Sequence, residues 1–284
     1  MMSNSLSAYP LKEYLLPWRH AGLLRQLWER DVRQRYRQSW LGLLWVVLTP
    51  LCMLAVYTLV FRHVMQVRWP QSADALDATS HADGAADLMY ALRIYAGLSV
   101  FLFFAECINR APALVLEQPN LVKKVVFPLH LLPWVSAATS ATGLAVAMVL
   151  LALLALAAGV GLHATLLLLP LVWLVLLPWV LGLGWLLAGL GPYVRDVGQV
   201  LSLLVSALMF VSPVFFPVES LPVAARGWLV LNPLAPVMTA TRDAVLGRVP
   251  DGAALIAVAL CGALVALAGA LFFRRVRAGF ADVV

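Results

Sequence analysis

The chain has 284 residues, of which 63% are hydrophobic and only 12% charged, with a mean hydropathy of +0.90. Soluble domains carry about 25% charged residues, so this composition excludes a soluble or disordered chain and leaves an integral membrane protein. The net charge of +6 comes with no aromatic-basic stacking surface and no helix-turn-helix pattern, which excludes a nucleic-acid footprint.

The first forty residues are polar, charged and interrupted by Pro10 and Pro17. No cleavable signal peptide is expected there, and the N-terminus is expected to stay in the mature chain. Residues 22–38 predict an amphipathic helix along the membrane interface. Leu23, Leu24, Leu27, Trp28, Val32 and Tyr36 share one side of the wheel, and Gln26, Arg30, Arg33 and Arg37 cluster opposite. Asp31 and Arg35 fall on the apolar side one turn apart, a spacing at which they can pair. Arg30, Arg33, Arg35 and Arg37 stand directly ahead of an uncharged stretch from Trp40 to Phe61. Such a cluster reads either as a topological anchor at a helix end or as guanidinium groups that meet an anion at the membrane surface.

The apolar sequence divides into stretches of about 20 residues, the length that crosses a hydrocarbon core of about 30 Å at about 1.5 Å per residue. The short alternating segments of a membrane barrel are missing. The pattern predicts an all-α integral membrane protein with six transmembrane helices at 41–62, 91–111, 133–160, 165–190, 198–217 and 253–273. The loop from Arg62 to Arg93 is acidic and rich in Ala, Asp and Ser between 72 and 87, and reads as a flexible solvated loop without metal-site spacing. Near the end of the second span Glu106 and Arg110 stand at i, i+4 and read as an intramembrane ion pair, functional or structural.

From Leu116 to Pro133 the chain reads as a simple connection or as a short helix parallel to the membrane. Pro119 and Asn120 start that helix, Lys123 and Lys124 face the cytoplasm, and Leu121, Val125, Val126 and Phe127 anchor it ahead of Pro128. Gly159, Gly161, His163 and Pro170 break a run of Leu, Ala and Val, which predicts two helices joined by a tight turn near His163. Between Ser212 and Arg248 five prolines separate two short apolar runs. Extracytoplasmic re-entrant half-helices have this pattern, and they are tolerated where protein or a water-filled cavity surrounds them.

Six spans put both termini on one side, which then holds thirteen of the twenty Lys and Arg, so the termini are expected to be cytoplasmic. Catalytic constellations are missing: there is no GxxxxGK[ST], GxSxG or HExxH motif and no second pair to accompany Asp74 and Asp77. Five histidines are scattered singly, and Cys52, Cys107 and Cys261 lie far apart in apolar spans. No catalytic residue, metal ligand or cofactor is expected in this chain.

Five blocks carry a resemblance: RDVRQRYRQSWLGLLWVVLTPL at 30–51, NLVKKVVFPLHLLP at 120–133, YVRDVGQVL at 193–201, SPVFFPVESLP at 212–222 and NPLAPVMTATRDAVLG at 232–247. In that order they resemble the ABC-2 type permeases of polysaccharide exporters (O antigen, capsule or teichoic acid), over nearly the whole chain. The resemblance implies a single transmembrane domain over 1–284. It also implies a homodimer in the bacterial inner membrane that exports a lipid-linked glycan with two copies of a separate ATPase subunit, which holds the ATP and Mg. In its terms 22–38 is a gate helix, 117–128 a coupling helix and 213–248 a pair of gating half-helices.

Arg30, Arg33, Arg35 and Arg37 would then bind a lipid diphosphate, and Glu117, Asn120, Lys123 and Lys124 would meet the ATPase. Trp45, Tyr57, Phe61, Tyr95, Phe101, Phe103 and Phe104 would line the glycan path, although core or lipid-facing packing is an alternative for each ring. A permease for a small lipid or drug is the first rival. An intramembrane prenyl- or glycosyl-transferring enzyme is the second, and it would need acidic pairs that the sequence lacks.

Overall fold

A computed structural model describes residues 11–37, 44–66, 69, 83–119, 127–194, 196–222, 227, 229 and 231–280, and all regular structure among them is helical. Two short N-terminal pieces, α1 (Leu11–Leu15) and α2 (Ala21–Arg37), precede the bundle. Tyr14 fixes the first of them: it is fully buried, stacks on His130 with centroids 4.5 Å apart and meets Trp185 and Phe273 edge-on. Its carbonyl also accepts from Trp134 Nε1 at 2.9 Å. That anchor determines where α2 begins.

The bundle comprises α3 (Leu44–Thr58), α4 (Asp83–Arg110), α5 (Leu132–Ala157), α6 (Leu169–Leu174), α7 (Leu177–Leu190), α8 (Val197–Val211), α9 (Leu234–Val245) and α10 (Gly252–Val276). Among the described residues five segments are long and apolar enough to cross a membrane: Val47–Val64, Ala86–Ala113, Leu129–Ala157, Ala164–Leu190 and Gly252–Gly279. Val197–Val211 is a shorter apolar helix. Its 15 residues span about 22 Å at about 1.5 Å each, less than a hydrocarbon core.

Three expectations shift. The span foreseen to run to 217 stops at Val211, because Ser212 precedes Pro213 and turns extended, at ψ 148°. The loop foreseen between Arg62 and Arg93 is helical from Asp83 onward, and Met89–Arg93 are buried. Ala86, Leu88 and Met89 favour the helix, and Asp87 pairs with Arg62 in the turn that continues α3. The first span continues past Thr58 as a π-helical turn, Leu59–Val64. The tight turn near His163 is as foreseen: Gly159 and Gly161 take φ of +77° and +83°, which only glycine adopts without strain.

Helix α4 is the hub, 83% buried over its membrane window, and packs against α3, α5, α7, α8 and α9. The most extensive contact joins α7 to α10. A Cβ at Gly182 would sit 2.5 Å from the backbone of Val265, and one at Gly262 would sit 2.6 Å from the Trp179 ring. Small residues let the two backbones touch, the usual solution where lipid offers no hydrophobic drive between helices. Gly182→Ala is therefore expected to cost about 2 kcal/mol by overpacking, read as a lowered thermal midpoint in nanodiscs. A midpoint equal to wild type would mean that the interface yields.

Candidate functional site

Among the described residues two ion pairs join α2 to the bundle, and neither is the one that local spacing suggests. Asp31 accepts from Arg110 Nη1 at 2.6 Å and Nη2 at 2.5 Å, and from Thr139 Oγ1 at 2.7 Å. Arg35 donates through Nη1 to Glu106 Oε1, which also accepts from Ser140 Oγ at 2.8 Å. Asp31 and Arg35 lie one turn apart on α2, and Glu106 and Arg110 one turn apart on α4. The foreseen pairs within each helix are replaced by two pairs between helices. An i, i+4 pair on one helix is worth only about 0.2–0.5 kcal/mol. Crossing between helices half-buries the charges, strengthens the attraction and recruits the α5 hydroxyls.

Burial alone would raise the Asp31 carboxyl, but the hydrogen bonds from Arg110 and Thr139 and the nearby guanidinium charges hold it below 3.8. The other arginines diverge. Arg30 donates to Gln118 Oε1 at 3.0 Å, and Arg33 stands 4.0 Å from Glu29 with its side chain 81% exposed. The Arg37 side chain lies outside the described residues.

Arg35 and Glu106 form part of the wall of a half-open cavity of about 580 Å³ between α3, α4 and α5, which also has Trp45, Tyr95, Phe103, Asn109 and Ser140 on its walls. An apolar groove of about 480 Å³, with Leu24, Trp134, Ala141 and Met148, adjoins it, since Phe103 and Leu144 line both. The seven aromatic candidates thus separate. Trp45, Tyr95 and Phe103 meet at the cavity, whereas Phe101 and Phe104 are buried in the α4 core and do not line it. Tyr57 and Phe61 lie further along, where Phe61 stacks on Phe215 at 4.2 Å and Tyr57 meets that ring edge-on at 4.9 Å.

At the opposite end of the bundle from α2, Arg242 of α9 ties three segments together. It is 6% exposed and donates to the carbonyls of Arg93 (3.0 Å), Pro213 (2.5 Å) and Val214 (2.9 Å), with its guanidinium carbon 4.8 Å from the centroid of the Trp69 ring. Gly97 makes room, since a Cβ there would meet Arg242 Nη2 at 2.5 Å. Asn232 accepts from the Leu234 amide at 3.0 Å and donates to Ser212 Oγ at 2.9 Å, which sets the start of α9. Within the foreseen half-helix region 213–248 the described residues thus hold one full helix, α9, buried against α4. Asn120, Lys123 and Lys124, with most of the foreseen 117–128 helix, lie outside the described residues. Glu117 is exposed at the end of the turn that follows α4.

Sequence reasoning missed Thr139, Ser140, Arg242 and Gly97 as partners. The cluster Ser136, Thr139, Ser140, Thr142 in an otherwise aliphatic helix was the available signal for the first two. The chain matches the ABC-2 type transporter family over residues 22–246. Among curated proteins it is 27% identical over 270 residues to the O-antigen export system permease protein RfbA of Myxococcus xanthus, covering 94% of this chain and 97% of that one. It is 26% identical over 252 residues to the polysialic acid transport protein KpsM of Escherichia coli, with coverages of 87% and 91%. The RfbA permease of Klebsiella pneumoniae shows 21% identity over 265 residues, with coverages of 92% and 95%. The matched region begins with α2, where the paired charges stand, and ends with α9, which carries Arg242; this chain belongs to the ABC-2 type transporter family.

Proposed function

We infer that this chain is the permease subunit that passes a lipid-linked polysaccharide across the bacterial inner membrane. It works as a homodimer with two copies of a separate cytoplasmic ATPase, which binds ATP and Mg, and both of its termini are cytoplasmic. The observation that carries this reading is the pair of adjoining cavities. One sets Arg35, Glu106, Asn109 and Ser140 among aromatic and aliphatic side chains, and the other is apolar and lined chiefly by α2, α5 and α6 residues. An amphipathic glycolipid matches both, with an anionic headgroup and sugars on the first side and an isoprenoid tail on the second. The names of the relatives support the cargo class, and the bias of Lys and Arg supports the orientation.

Transmission follows from the connections. A push on 117–128 reaches α4 and α5 directly, and it reaches α2 through the Arg30–Gln118 hydrogen bond. Glu117, Asn120, Lys123 and Lys124 are the proposed ATPase contacts. Arg33, Arg35 and Arg37, supported by Arg30, would gather the diphosphate.

The test is ATPase activity of the complex with its cognate ATPase subunit in nanodiscs, with and without a polyprenyl-diphosphate-linked glycan. Stimulation is expected, and an Arg33→Ala, Arg35→Ala, Arg37→Ala variant that still assembles is expected to lose most of it. Full stimulation in that variant would return the cluster to a topological anchor. No stimulation by any glycolipid would favour a permease for a small lipid or drug.

A further inference from the structure

The two ion pairs that hold α2 differ in kind. Asp31 and Arg110 join through two parallel hydrogen bonds with Thr139 as a third partner, and their side chains are 15% and 29% exposed. Arg35 and Glu106 join through one guanidinium nitrogen and one carboxylate oxygen, are 40% and 30% exposed, and form part of the cavity wall. The first pair is built to stay, and the second is built where a ligand can reach it. The Glu106 carboxylate there accepts from the Arg35 guanidinium and the Ser140 hydroxyl, with the Asn109 amide on the same wall. Guanidinium, hydroxyl and amide are donors that suit phosphate oxygens as well as they suit a carboxylate.

We propose that Glu106 is a built-in stand-in for the headgroup and sets the specificity of the site for a multiply charged lipid over singly charged phospholipids. This rests on the reading of Arg35 as a headgroup ligand. An arriving diphosphate takes Arg35 and Ser140 from Glu106, while Asp31–Arg110 keeps α2 seated. The displaced carboxylate has a destination one turn along α4. A guanidinium carries five N–H donors, and Asp31 engages two on Arg110. The i, i+4 pair that the sequence suggests is then the arrangement of the loaded site.

Selectivity follows from charge counting. A phosphodiester with a single negative charge exchanges one monoanion for another on Arg35 and gains little. A diphosphate brings more charge and more acceptor oxygens to the same donors, so it displaces Glu106 where a bulk anionic phospholipid does not. In a membrane where such phospholipids are abundant, a bare Arg35 would be held by them for much of the time.

The experiment titrates a polyprenyl diphosphate against the full complex in nanodiscs of phosphatidylcholine alone and of equimolar phosphatidylcholine and phosphatidylglycerol, reading binding by fluorescence quenching. Glu106→Gln is expected to tighten binding in phosphatidylcholine by about fivefold, the value of releasing one part-exposed ion pair. It is expected to lose that gain when phosphatidylglycerol is present, whereas wild type is indifferent to it. Glu106→Ala should move in the same direction, and both are judged on complexes that elute as wild type. Binding weakened or unchanged by both substitutions, or equally insensitive to phosphatidylglycerol, would overturn the specificity role. An Arg35→Gln titration identical to wild type would instead overturn the headgroup reading on which it rests.

Discussion

Arg110→Ala is expected to unseat α2 from the bundle. It strips two charge-assisted hydrogen bonds from Asp31, which keeps only Thr139. Hydrogen bonds to charged groups are worth about 1.5–3 kcal/mol. Breaking a fully buried pair costs about 3–5 kcal/mol. This pair is part-exposed, which places the loss at about 3 kcal/mol. The measurement is the thermal midpoint in nanodiscs alongside the glycolipid-stimulated ATPase activity of the proposed complex, and both should fall. Asp31→Asn with Arg110→Gln removes both charges together and should recover much of the stability, since neither partner is then a lone charge. If the two single losses simply add in the double variant, the pair is not coupled.

The same pair has a defined response to pH. The Asp31 carboxyl titrates lower in the folded chain than its ordinary value of 3.8. Its contribution is therefore complete above that value and is lost only as pH falls through the lower folded one. Acidification to about pH 5 should leave α2 seated.

Arg242→Ala is expected to have an effect at least as large at the other end. Three backbone carbonyls, from Arg93, Pro213 and Val214, lose a buried donor at once, and the Trp69 ring loses the nearer of its two cations. Each stranded acceptor costs about 1–3 kcal/mol, so a total of about 4 kcal/mol is a fair expectation. Little folded protein should accumulate in the membrane. Arg242→Lys should recover less than half, because an ammonium is a point charge and cannot span the three acceptors as a planar fork does. A lysine variant as stable as wild type would show that charge alone, and not the fork, holds α4, α9 and the 212–214 turn together.

Hydropathy and length made the helical bundle legible, because an apolar run of span length has few other fates in lipid. Partners were harder. The spacing of Asp31 with Arg35, and of Glu106 with Arg110, reported correctly that each couple shares a face. Which residue meets which depends on how α2 approaches α4 and α5, and Tyr14 sets that through contacts more than a hundred residues away. Arg242 was invisible as a clasp because its acceptors are backbone carbonyls, which no residue pattern marks. The aromatic rings of α4 were not sorted either, although a signal was there: Tyr95, Ser99, Phe103 and Glu106 recur at helical spacing along one face, the face of the cavity, and Phe104 stands off it in the core.

The loose seating of α3 has a mechanical meaning. Only 6% of its membrane window is buried, while the glycine-lined backbones of α7 and α10 lie in contact. A leucine that faces lipid and one that faces a slightly shifted neighbour are nearly equal in free energy, so a shift of α3 would open little void in the core; what holds it in place is its far end, through Phe61 on Phe215 and Arg62 with Asp87. Trp45 rides on this helix at the cavity. One wall of that cavity is thus the thinly buried α3 and the facing walls are α4 and α5, so a change in its width falls on α3 before it reaches the hub helix.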